Sequence, residues 1–117
     1  MFVETCTTIQ TNAFLALHPP TIEMRNKVMS ELPDIYRKLS EIYDSMKYVK
    51  AGPPIRKPPL TCNSEREWKV EWYVFTTSVD KLDDLAATQK DLSRARPAIE
   101  RTLRILADAI RRVQKLR

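Results

Sequence analysis

The sequence predicts an all-α protein, an antiparallel hairpin of two long helices followed by a third. Three observations predict it. Apolar residues recur at alternating steps of four and three along three separate stretches, the repeat of one helix face. The chain holds a single glycine against eight prolines, so punctuation falls mainly to proline, which stops helices or starts them. A proline-rich turn and a sharp Arg96-Pro97 corner join the three stretches in the manner of a bundle. With 117 residues, 43% hydrophobic and 30% charged, the chain is expected to fold as one domain or one core with tails.

The predicted order runs from an N-terminal segment, 1–20, to a helical bundle domain, 21–117. Ile9, Ala13, Phe14, Leu15 and Leu17 form an apolar patch in the first segment, read as a short helix or as an arm docked on the main body. His18-Pro19-Pro20 ends it. The first long helix is predicted over 21–50. Thr21 is its N-cap and Glu23 suits its first turn. Val28, Leu32, Ile35, Leu39, Ile42, Met46 and Val49 make one seam, with a kink or restart expected where Pro33 interrupts it. Residues 51–63 form the loop. Its prolines suit a connector between antiparallel helices, and also the extended form that SH3-type grooves bind.

The second long helix is predicted over 64–95. Ser64 and Glu67 have the spacing of a capping box. Trp68, Trp72, Phe75, Val79, Leu82 and Ala86 share its inner face. Val70, Trp72 and Val74 also alternate, so a short strand at 68–75 is the competing reading. The third helix is predicted over 97–116, with Pro97 at its start and Ile99, Leu103, Leu106, Ile110 and Val113 as its seam.

The chemistry on offer argues against an enzyme. The one histidine, His18, stands beside two prolines, and there is no Cys/His cluster for a metal and no glycine-rich phosphate loop. No cofactor is implied. Asp80, Asp83 and Asp84 read as a solvated acidic face. Cys6 and Cys62 lack ligand spacing and are expected as reduced thiols of an intracellular protein. No apolar run reaches the ~20 residues of a membrane span, and residues 1–17 make a poor signal peptide.

Charge is unevenly placed. Residues 64–93 carry seven acids against four bases, whereas 94–117 carry eight bases against two acids. Arg101, Arg104, Arg111, Arg112 and Lys115 lie mainly opposite the last apolar seam, with Arg94 and Arg96 at the corner before it. Such a ridge suits phosphates. It equally suits a solvated face with cations at a helix C-terminus, or an acidic protein partner.

The order of Leu32-Pro33-Asp34 in a long helix, a proline-bearing loop, a second long helix, and Arg94-Ala95-Arg96-Pro97-Ala98 before a shorter one resembles the small RNA-silencing suppressor of the nodaviruses. That family is encoded in a frame overlapping the polymerase gene, and the skewed glycine and proline content fits such an origin. The similarity spans about Asn26–Arg104. It implies a homodimer forming an antiparallel four-helix bundle that binds double-stranded RNA in the host cytoplasm, through phosphates and 2′-hydroxyls and so independently of sequence. Carried onto this chain, the contacts fall on Arg66, Lys69, Tyr73, Thr76, Thr77, Lys81, Thr88 and Lys90, or shift toward the corner at Arg94, Arg96, Arg101 and Arg104. Asp80, Asp83 and Asp84 interrupt the first set and would repel phosphates. The expected function is therefore a viral suppressor of RNA silencing that binds double-stranded RNA. The alternative is a helical module that engages a host or viral protein.

Overall fold

The computed structural model describes residues 1–45, 57–87 and 94–115. These form helix α1 (Phe2–Asn12), a 3-10 turn (Ala13–Leu17), α2 (Ile22–Ser45), α3 (Glu65–Ala86) and α4 (Ala95–Lys115). The all-α class stands. Residues 68–75 are helical, so the strand reading is set aside. Met46, Val49, Thr88 and Lys90 lie outside the described residues, as does the first part of the proline-rich loop, 51–56.

The predicted caps form. The Thr21 hydroxyl accepts from the Met24 amide at 3.1 Å, and the Ser64 hydroxyl accepts from the Glu67 amide at 3.1 Å. The Glu67 carboxylate reaches back one residue further than a capping box requires, accepting from the Asn63 amide at 3.2 Å. α2 runs through Pro33 as one continuous helix, and the ring stands on the exposed side.

Residues 2–17 are part of the core rather than an appendage. Phe2, Cys6, Ile9 and Ala13 repeat at four, three and four, and all are buried. The four threonines of α1 turn their hydroxyls onto carbonyls four residues back, which satisfies them inside a helix, where β-branched polar residues are otherwise poor formers. Asn12 then ties α1 to α3, its amide donating to the Glu71 carbonyl at 2.9 Å and the Glu71 carboxylate at 3.0 Å.

α3 supplies the centre. Trp68, Trp72 and Phe75 are almost wholly buried. The indoles stack with centroids 5.0 Å apart and planes 9° from parallel. Each indole N–H has an acceptor, Trp68 on the Leu15 carbonyl and Trp72 on the Glu31 carboxylate, both at 3.0 Å, so neither ring strands a polar group.

The direction of the helices corrects the antiparallel hairpin. Glu31 meets Trp72 and, one register on, Lys38 meets Asp80, so α2 and α3 advance the same way. α1 opposes α3, since Asn12 meets Glu71 and Leu15 meets Trp68. α4 opposes α2: Tyr43 lies by Glu100, while Met29 and Pro33 lie by Ile110 and Gln114. The bundle therefore runs up-down-down-up. An apolar seam says which face is buried but not which way its partner points. α2 is 24 residues long, about 36 Å. About twelve extended residues cover that distance, and residues 46–64 are enough to carry the chain back.

α1 packs on α3 and α4, and α2 packs on the same two, while α1 with α2 and α3 with α4 share no contact among the described residues. Around the bundle the order is α1, α3, α2, α4. One chain thus supplies four helices, where the resemblance expected two copies to do so.

Candidate nucleic-acid interface

The predicted contact residues divide between two helices on diagonal corners. Because both helices turn their apolar faces to the shared core, their outer faces point in opposite directions. Arg66, Lys69, Tyr73, Thr77 and Lys81 are all exposed along one strip of α3. Arg101 and Arg104 are exposed on α4, and Arg94 is exposed at the turn before it. The fold brings each set together on its own helix and keeps the two sets apart.

The α3 strip is poorly suited to phosphates. Within Glu65–Ala86, six carboxylates stand against three cations. Lys69 is engaged by Glu65 at 3.3 Å. The Thr77 hydroxyl, and that of Thr76 beside it, donate to the Tyr73 carbonyl, so both hydroxyls are turned to their own helix. Asp80, Asp83 and Asp84 are exposed at its C-terminal end. Asp80 bridges to Lys38 of α2 at 2.6 Å. That hydrogen bond raises the Lys38 ammonium above its ordinary 10.5, against a smaller lowering by burial, with the charges of Asp80 and Asp83 adding to the rise. The middle of the strip is apolar: Val70 is 55% and Tyr73 70% exposed. Val70 borders a shallow groove of about 330 Å³ with Leu60, Cys62, Arg66 and Glu71.

α4 has the opposite character. Ala95, Ala98, Ile99, Thr102, Leu106, Ala109 and Val113 are buried, so Arg101, Arg104, Arg111, Arg112 and Lys115 emerge on the outer side. Within Ala95–Lys115, six cations stand against two carboxylates, Glu100 and Asp108. Those two orient part of the ridge. Glu100 holds Arg104 at 2.7 Å, and Asp108 holds Arg112 at 3.0 Å and Arg111 at 3.5 Å. All these pairs are solvent-facing, so they bias side-chain direction more than they stabilise the fold.

Arg96 differs from its neighbours. Its guanidinium lies over the Tyr43 ring, 5.1 Å from the centroid, and Tyr43 in turn donates to Glu100 at 3.4 Å. Arg96 is half-buried at the α2–α4 seam. Sequence spacing gives no sign of this, because Tyr43 and Arg96 lie in different helices. Among the described residues no group of His, Cys, Asp and Glu is placed to hold a metal, and no helix is long and apolar enough to cross a membrane. Comparison with protein-family models, with curated proteins and with solved structures returns no match.

Proposed function

We propose that the chain binds double-stranded RNA without regard to sequence, through the outer face of α4, and acts without catalysis as a viral suppressor of RNA silencing in the host cytoplasm. The observation that supports this reading is the alignment of Arg101, Arg104, Arg111, Arg112 and Lys115 on one outward helix face with a strong cationic excess. Guanidinium groups fork onto phosphate oxygens, and a rigid helix fixes their spacing. The α3 strip, where the resemblance would put the contact, carries the wrong net sign.

A gel shift with duplex RNAs of unrelated sequence tests it. Binding is expected for all of them and weakens with salt, since each phosphate contact releases counterions. Arg101→Gln with Arg104→Gln should lower the slope of log affinity against log salt by about two. Salt-insensitive binding, or none, refutes the reading.

A second reading, a protein-interaction module, is favoured by Val70, exposed at the edge of a groove, and by Tyr73, exposed one turn further along α3. Capture of a partner that survives nuclease treatment, and is lost with Val70→Ser and Tyr73→Ser, would support it.

A further inference from the structure

We propose that a second copy of this chain docks its α4 ridge onto the acidic end of α3, so that copies associate head to tail. It shares the α4 surface with the proposed RNA contact and rests on the same outward arginines.

Two facts of the fold carry it. α3 and α4 occupy diagonal corners, and their outer faces carry opposite net charge. Each copy therefore offers a cationic face on one side and an anionic face on the other. A two-fold symmetric contact would press like charges together, α3 on α3 or α4 on α4, at an electrostatic cost. The complementary contact joins different faces, and each addition leaves one face of each kind free at the ends.

The two surfaces also match in extent and chemistry. From Tyr73 to Asp84 and from Arg101 to Arg112 the helix advances eleven residues, about 16 Å in each case. Asp83 and Asp84 are exposed carboxylates that accept a guanidinium fork, and Tyr73 offers an exposed ring on which an arginine can lie. The Arg96–Tyr43 stack within one chain uses the same chemistry. Val70, one turn before Tyr73, adds an exposed apolar side chain at the edge of the contact, which charge pairing alone lacks. A second copy is favoured over another charged protein because both halves of the contact are on this chain and are present in equal number in any solution of it. Duplex RNA takes the same arginines, so binding it should take these assemblies apart.

Sedimentation velocity on the full chain without RNA tests this at about 0.1 M and about 1 M salt, where screening lengths are about 10 Å and 3 Å. Mass growing with concentration at the lower salt and monomer at the higher is expected. Two variants then distinguish the faces. Asp83→Asn with Asp84→Asn blocks the α3 face, and Arg101→Gln with Arg104→Gln blocks the α4 face. Each should stay monomeric alone, and an equal mixture should form a species that stops at two chains. A single mass at both salts, or a mixture that stays monomeric, overturns the proposal. The α3 variant should still bind duplex RNA. Assembly without RNA binding therefore sinks only the functional reading, and RNA binding without assembly sinks only this one.

Discussion

Trp72 shows how much one side chain holds. It stacks on Trp68, touches Phe75 and donates to Glu31, so it joins α2 to the centre of α3. Trp72→Ala is expected to cost about 3–5 kcal/mol, measured by urea unfolding. The loss comes from packing, because Glu31 is still partly solvated and paired with Lys27 at 3.7 Å, so no charge is stranded. The cysteines make a second prediction at this scale. Burial pushes the Cys6 thiol up to about 12, and burial, followed by Glu71 and Glu67, raises Cys62 by less. At about pH 8 a thiol reagent should label Cys62 first and reach Cys6 only as the protein unfolds. The sign of the pH effect follows from the same shift. Above the ordinary value of 9.0 the unfolded chain gives up its Cys6 proton while the folded chain keeps it. Stability should therefore fall as pH rises from 9 toward 12, and Cys6→Ala should flatten that fall in urea titrations.

Among the elements, α1 is the one whose weight the sequence conceals. The inner faces of α2, α3 and α4 are nearly pure apolar seams, so their existence and buried sides are legible. α1 buries Thr5, Gln10, Thr11 and Asn12 beside Phe2, Cys6 and Ile9, so the contrast between its faces is weak. Its threonines look like loop residues until their i−4 hydrogen bonds are seen. A chain lacking residues 1–17 is expected to lose its cooperative unfolding transition and to bind a hydrophobic dye, because the Trp68 and Trp72 side of α3 loses its cover. Cooperative melting of the shortened chain would show that α1 is dispensable. The candidate site was legible only in part. The α4 cations follow from the seam they oppose, and the contrary sign of α3 is a count. That the two faces point apart depends on the diagonal placement of two helices, which no local spacing records.

For the molecule as a whole, the parallel α2–α3 pair sets a length requirement. The Leu60 amide donates to the Thr11 carbonyl at 2.9 Å, so the chain after Ser45 has to reach the level of α1's C-terminal turn by residue 60. Fifteen extended residues reach about 46 Å, and seven reach about 22 Å. The run from Ser45 back to the start of α3 approaches the roughly 36 Å length of α2. Removing eight residues between 46 and 56 should therefore forbid the monomeric fold and produce exchanged dimers, visible as doubled mass in light scattering. An antiparallel hairpin would tolerate the same deletion with little change.

The same arrangement bears on how the protein comes to be folded. Helical bundles usually reach their native state quickly because neighbours in sequence are neighbours in space. Here the tying contacts join Leu15 to Trp68, Asn12 to Glu71 and Tyr43 to Glu100, separations of 53, 59 and 57 residues. Each demands that a long loop close before any packing rewards it. Refolding is expected to be slower than for a local bundle of this size. On the ribosome, at about 5–20 residues per second, α1 waits about 4–14 s for α3 to be made. Through that interval the core side chains of α1 have only their own helix and the 3-10 turn after it to pack on, because α1 makes no contact with α2 among the described residues.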